Sequence, residues 1–416
     1  MRSKILYIAP ALPVLTCTFI YREIFDLRNL GFQIDAVSMN TPPDDRISDE
    51  ARGFLDTTLY LDKVPESRKF LAFVKALILH PVSTMRCLKL FATATPMQSF
   101  RDYQRLGYHL IEACYLFFRL EGSKPDHIHS HFITGSTSIA MFLSELMKAP
   151  FSFTMHASAI WIDPVALSTK LERCRFCVSI SEYNKQYVLS QFGDKWQSKI
   201  NVVHCGISMT GLAQLPRQRP KEDASIGVLA VGQLMKRKGY HVLIEAARIL
   251  RDKRVNVVWT IVGEGNQRGP LEEMIARYDL HHEVKLMGAR PHEEIPQFVA
   301  DADIFTLPCV IGDDNTRDGI PVALMEAMAW RVPVVSTNIV GLPELIESGH
   351  DGILVESDNA DALADAIEML AKSAELRQRI GNAAVTKIER EFNAARSAEQ
   401  LRDLFDASAR ASFRQA

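Results

Sequence analysis

The stretch DIFTLPCVIGDDNTRDGIPVALMEAMAWRVPVVST, residues 303–337, reads as strand, loop, helix and strand. DIFTLPC is short and holds Ile, Phe and Thr, residues that suit a pleated backbone. VIGDDNTRDG is rich in Asp, Asn and Gly without apolar periodicity, so it reads as a loop. The helix begins near Ile320 and Pro321, because the fixed φ of proline suits a first helical turn. VPVVST is β-branched and supplies the next strand. Strands joined through helices run parallel, and a parallel sheet is covered on both faces.

The same alternation extends outward in both directions. Before residue 210 the strand candidates are KILYIAP, QIDAVSM, HIHSHF, FSFTMH, FCVSIS and INVVHCG. Helical stretches separate them, such as FIYREIFDLRNLG, which stops on Gly31 as helices commonly do. After residue 225 come IGVLAVG, VNVVWTIVG, VKLMG, DIFTLP, VPVVST and GILV. Between the sets, GLAQLPRQRPKEDAS (211–225) has two prolines, several charges and no apolar period, the marks of a linker. From about residue 360 the chain is helical in composition and spacing. The expected class is therefore α/β, with two Rossmann-like doubly wound domains facing each other across a cleft. The first spans 1–208 and the second 226–390, with a linker at 209–225 and a last helix at 391–416.

Bulk properties narrow the function. The chain has 416 residues, a net charge of −2 and 24% charged residues, so no global attraction to nucleic acid is implied. Seven cysteines, odd in number and without framework spacing, favour a reducing compartment, here the cytoplasm. Cys174 and Cys177 form a CxxC with no partner pair, which weighs against zinc or redox chemistry. MRSKILYIAP at the start is too brief for a signal sequence. No run of 18 apolar residues spans a bilayer. The segment 68–92, RKFLAFVKALILHPVSTMRCLKLFA, is apolar with interspersed basic residues. An amphipathic core helix pair is the favoured reading, and peripheral contact with an anionic membrane surface is the other.

Ligands of doubly wound sheets bind just outside the strand carboxyl ends, so residues following strands are the informative ones. In VGQLMKRKGYHVLIEAARIL (231–250), Lys236, Arg237 and Lys238 crowd a loop and Gly239 opens a helix, an arrangement suited to phosphate. In IVGEGNQRGPLEEMI (261–275), Gly263 and Gly265 allow close backbone approach to a ligand, although Arg268 replaces the third glycine of a dinucleotide fingerprint. Arg290 follows VKLMG, where a flat ring has room to rest. Glu326 lies about two turns into a helix of apolar neighbours. A desolvated carboxylate there is costly unless hydrogen-bonded, and vicinal ribose hydroxyls supply two donors. Asp318, with the amides of Gly319 and Ile320, suits a polyhydroxylated ligand at the helix entrance. His156 directly follows a strand. His127, His129 and His131 share one strand face with no accompanying carboxylate, so packing is favoured over a metal site.

These residues and their order resemble the family 4 glycosyltransferases, retaining enzymes of the GT-B fold that use nucleotide sugars. The resemblance rests on DGIPVALMEAMAWRVPVVST, GLPELIESGHDGILV, VGQLMKRKG and VGEG…PLEEMI, and it is strongest over 226–356. It implies that Lys238 holds the donor diphosphate and Glu326 the nucleotide ribose. Asp318 would contact the donor sugar, Gly319, Ile320 and Pro321 would lie beneath sugar and diphosphate, and His156 would stand beside the sugar. Lys238, Asp318 and His156 are thus the implied catalytic residues; Gln233, Arg237, Gly263, Gly265 and Arg290 complete the implied donor site. The implied partners are a nucleoside diphosphate sugar and a glycan or lipid-linked glycan acceptor, with no cofactor and no metal. The last helix would pack back on the first domain. Gln233 stands where the family usually has Arg, and Asp318 where it usually has Glu. PALPVLTCTFIYREI replaces the usual glycine-rich loop and is similar to an exopolysaccharide and colanic-acid-type subgroup. A non-catalytic partner subunit and a sugar-nucleotide epimerase are the alternative readings within this fold.

Overall fold

The computed structural model describes residues 3–14, 17–43, 49–209 and 225–413. Most of the expected linker, residues 210–224, lies outside them. The chain divides into two compact units, Met1–Cys205 with Ala394–Ala416, and Gly206–Asn393.

Unit 1 holds β1 (Lys4–Ala11), β2 (Gln33–Asn40), β3 (Thr58–Tyr60), β4 (His127–His131), β5 (Phe151–Met155), β6 (Phe176–Ser179) and β7 (Ile200–Val202). They form one parallel sheet in the order β3-β2-β1-β4-β5-β6-β7. Alternation along β1 explains its unbroken apolar sequence. Ile5, Tyr7 and Ala9 enter one core, while Leu6 and Ile8 enter the other. The second core includes Leu110, Ile128 and Phe142. The first includes Ile24, Leu27 and, from the helix Ala394–Phe413, the buried Leu401 and Phe405. The Phe405 ring lies 5.9 Å from Phe32 and 5.6 Å from Phe176.

Helices Glu66–Leu79 and Pro81–Ala92 meet at a bend of 116°. The core reading fits only one face of this pair, where Ala72, Ala76, Thr84 and Cys87 are buried. Lys69 is buried too, and its ammonium donates to Tyr108 Oη at 2.7 Å and Glu66 Oε1 at 2.9 Å. Such bonding offsets the cost of burying the charge. The other face exposes Phe70, Leu71, Ile78, Leu79, Val82 and Met85. No single helix among the described residues is long and apolar enough to cross a membrane. Cys174 and Cys177 are buried free thiols, and burial pushes the Cys174 thiol up to about 12.

Unit 2 holds β8 (Ile226–Val231), β9 (Val257–Val262), β10 (Val284–Leu286), β11 (Ile304–Leu307), β12 (Val334–Thr337) and β13 (Ile353–Val355). This sheet is also parallel, in the order β10-β9-β8-β11-β12-β13. Trp259, Leu243, Phe305, Met325 and Met328 lie in its core. The direction in which successive strands are added reverses between β8 and β11, as it does between β1 and β4 in unit 1. Such switch points open a crevice at the strand carboxyl ends.

Candidate functional site

The unit 2 switch point brings together residues far apart in sequence. After β8 the chain makes a tight turn over Lys236–Lys238, then enters helix Tyr240–Asp252 through Gly239. Gly239 has φ 73°, and a Cβ there would lie 1.7 Å from the Pro308 carbonyl oxygen, so only glycine lets this turn sit against the end of β11. After β11 the loop returns to the helix Val322–Ala329, with Pro321 at its N-cap. Asp318 ends this loop and accepts from both basic residues. Lys238 Nζ stands 2.8 Å from Asp318 Oδ2 and Arg237 Nε 2.9 Å from Oδ1. The carboxylate side chain is only 15% exposed. Burial alone would raise its pKa, but the charges and hydrogen bonds of Lys238 and Arg237 outweigh that and hold it below the usual Asp value of 3.8. The third basic residue, Lys236, pairs separately with Asp313.

Two cations and one carboxylate leave this cluster with a local surplus of one positive charge. It also has acceptor oxygens on Asp318 and the backbone N–H donors of Gly319 and Ile320 at a helix entrance. Such a site can hold an anion beside a hydroxyl-bearing group. Glu326 lies on the same short helix. It is half-buried rather than enclosed, and it stands just over one turn from the helix start, because the helix begins at Val322 rather than Ile320. Its desolvation cost is smaller than the sequence suggests.

Gly263 and Gly265 do bring backbones close, but to the chain itself. A Cβ on Gly263 would lie 1.9 Å from the Gly232 carbonyl oxygen, and one on Gly265 would lie 2.3 Å from that of Leu234. The loops after β8 and β9 therefore press against each other. Gln233 is exposed in the first of these loops. Arg290, after β10, is exposed and 3.8 Å from Glu294. A cavity of about 430 Å³ opens at the amino-terminal ends of β11 and β12, by Asp303 and Pro333, away from these residues.

His156 belongs to unit 1, where it follows β5 and is buried. Its Nε2 lies 3.0 Å from His131 Nδ1, and His131 Nε2 lies 3.1 Å from Glu23 Oε1. Glu23 also accepts from Tyr7 Oη at 2.8 Å. A carboxylate accepts only, so His131 donates to Glu23 through Nε2. Burial first, and then His131, hold the His156 pKa well below 6.5, so the ring is neutral. The sequence reading missed Glu23, and with it the carboxylate beside the histidines. Its only signal is an acidic residue in the helix Thr18–Asn29 after β1. Glu23, His129 and His131 offer ligand atoms within 4.8 Å of one another. Both His129 nitrogens already face hydroxyls, Ser152 Oγ at 2.7 Å and Thr154 Oγ1 at 3.1 Å.

A crevice lies at the unit 1 switch point. It measures about 570 Å³ and is lined by Pro10, Asn40, Arg105, Tyr108, His109 and Thr134, among others.

Comparison with known proteins bears on both units. The family model described as "Glycosyl transferases group 1" matches residues 213–387. The chain is 37% identical over 219 residues to the amylovoran biosynthesis glycosyltransferase AmsK of Erwinia amylovora, covering 51% of this chain and 54% of AmsK. It is 38% identical over 199 residues to WcaL of Escherichia coli strain K12, whose name assigns it to colanic acid biosynthesis; the match covers 47% of this chain and 48% of WcaL. The chain thus spans about half the length of the curated relatives it matches. In fold it is similar to a glycosyltransferase from Rickettsia africae, with a TM-score of 0.71 at 17% identity over 98% of this chain and 99% of that one. A structure of Anabaena HepE in complex with UDP and glucose gives 0.66 at 16% identity, over 98% of this chain and all of that one. The shared architecture is that of GT-B glycosyltransferases.

Proposed function

We propose, for a chain whose residues 213–387 are a glycosyl transferases group 1 domain, that it transfers a sugar in the assembly of a cell-surface polysaccharide. The donor is a nucleoside diphosphate sugar, the acceptor a glycan or lipid-linked glycan, and the anomeric configuration is retained. The work is done in the cytoplasm, at the inner face of the membrane. Names of relatives that are glycosyltransferases favour neither an epimerase nor a non-catalytic partner subunit.

The observation that carries this reading is Asp318 held between Lys238 and Arg237 at the switch point between β8 and β11. In the reaction, a bond forms between an acceptor hydroxyl oxygen and the anomeric carbon while the bond from that carbon to the phosphate oxygen breaks. The acceptor proton passes to the departing phosphate on the same face. Negative charge grows on the diphosphate, and Lys238 and Arg237 are fixed cations that stabilise it without a metal. Asp318 accepts from sugar hydroxyls and sets the sugar's position. Gly319, Ile320 and Pro321 shape the floor beneath it. Glu326 accepts from the ribose hydroxyls; it positions and does not react.

A panel of nucleoside diphosphate sugars tested for protection against thermal unfolding identifies the donor, since a ligand that binds the folded state raises its apparent stability. Lys238→Ala is expected to abolish transfer from that donor, and Glu326→Ala to weaken donor binding so that transfer is lost at donor concentrations near the wild-type KM, while the fold is kept in both. Near-normal transfer in both variants overturns the donor-site assignment.

A further inference from the structure

We propose that the bent helix pair Glu66–Leu79 and Pro81–Ala92 is a docking face for an anionic lipid bilayer. Nine of the twelve large apolar side chains exposed among the described residues fall between positions 70 and 108. Scattered exposed apolar residues are ordinary, but a concentration of this kind marks an interaction surface. Ile78 is 71% exposed, Leu71 66%, Val82 66% and Phe70 59%. Packing within unit 1 uses the other face of the pair, so these side chains do not serve its core.

Charge selects the occupant. Residues 66–92 hold five Lys or Arg and a single carboxylate, Glu66, a net of +4 in a chain whose total is −2. Arg68, Lys75, Arg86 and Lys89 are exposed. A second copy of this chain would set +4 against +4, whereas anionic headgroups attract the patch as its apolar side chains enter the acyl boundary. Neither helix is long enough to span by itself, and the 116° bend keeps the two lengths from adding. Helices of 14 and 12 residues are about 21 and 18 Å long at ~1.5 Å per residue, against a hydrocarbon core of about 30 Å. The pair therefore lies in the interface.

Docking here also bears on the acceptor. Lys69, from the first of these helices, donates to Tyr108, which lines the crevice of about 570 Å³ in unit 1. Bilayer contact places the helix Phe100–Arg119, and the crevice it helps to form, beside the membrane. An acceptor sugar carried on a membrane lipid would then be presented at that crevice. This consequence rests on the lipid-linked acceptor proposed above; the docking itself does not depend on transfer.

The test is co-sedimentation of the full chain with vesicles, which requires no activity. Wild type is expected to bind vesicles of equal parts phosphatidylcholine and phosphatidylglycerol, and to stay in solution with phosphatidylcholine alone. Raising salt from about 0.1 M to about 1 M shortens the screening length from ~10 to ~3 Å and should weaken binding at least tenfold. Ile78→Glu with Leu79→Glu should weaken it at least tenfold while leaving the thermal midpoint unchanged, since both side chains are exposed. Arg68→Glu with Lys89→Glu should do the same with the apolar face intact. Failure of wild type to bind the anionic vesicles, equal binding to both kinds, or unchanged binding of the Ile78→Glu/Leu79→Glu variant each overturns the proposal. So does a dimer, seen by sedimentation velocity, that this variant dissolves. Vesicle binding without any sugar transfer would instead fail the enzymatic reading and leave the docking face standing.

Discussion

Lys238 Nζ stands 2.8 Å from Asp318 Oδ2, a contact made between the loops that follow the neighbouring strands β8 and β11. With Arg237 on its other oxygen, Asp318 is both the partner of two cations and, in the proposed reaction, the acceptor of sugar hydroxyls. Arg237 thus reaches the same carboxylate as Lys238.

Asp318→Asn keeps the side-chain volume but leaves two cations facing each other. The expected cost is about 1–3 kcal/mol of stability at neutral pH. The folded pKa lies below the ordinary value of 3.8, so the contribution is fully present above that value and is lost as the pH falls through the folded pKa. Urea unfolding of wild type and variant should show a deficit at pH 7 that closes in acid. A deficit of equal size at every pH tells against the ion pair as its source.

Glu326→Gln replaces one acceptor oxygen by a donor. If Glu326 only clamps the ribose, ground state and transition state lose the same contact, so KM for the donor should rise about tenfold, ~1.4 kcal/mol, with kcat little changed. A fall in kcat at constant KM would assign Glu326 to the chemical step instead.

Three histidines are buried neutral. Burial, then Arg175, lowers His127 to about 3, while burial first and neighbouring histidines second hold His129 and His156 well below 6.5. Each gains a proton on unfolding below about 6.5, so stability should fall on acidification by up to ~1.4 kcal/mol per pH unit for each group. Urea midpoints measured from pH 7 down to pH 5 check the slope. Ring-nitrogen NMR signals for His156 that titrate between pH 6 and pH 7 would contradict a buried neutral ring.

Gly263→Ala places a Cβ against the Gly232 carbonyl at a φ of 151°. The backbone must shift, and the expected loss is about 2–5 kcal/mol. Thermal melts check the loss. Donor binding should weaken as well, because the displaced loop is the one leading to Lys238. Unchanged donor protection in a folded variant would separate this loop from the site.

Local patterns made most of the fold legible. Parallel strands covered on both faces are apolar throughout and announce themselves, as KILYIAP and IGVLAVG do. The strand Thr58–Tyr60 follows Asp56 and Thr57 and lacks the apolar, β-branched run that marks the equally short Ile200–Val202 and Ile353–Val355. Within the site, strand ends were readable and side-chain partners were not. Nothing near Asp318 in sequence indicates Lys238, because the pairing is made by sheet order. Glu23 was missed for the same reason: 108 residues separate it from His131. The exposure of Phe70 and Ile78 was equally hidden, since a core helix pair and a surface-seeking one share a composition.

The helix Ala394–Phe413 gives unit 1 its last core side chains, Leu401 and Phe405, after the whole of unit 2. On the ribosome, where segments fold in the order they emerge, the unit begun first is finished last. Residues 206–393 can reach their native packing while the first 205 still lack part of their interior. Deleting residues 394–413 should therefore injure the unit built on residues 1–205, nearly two hundred positions away along the chain.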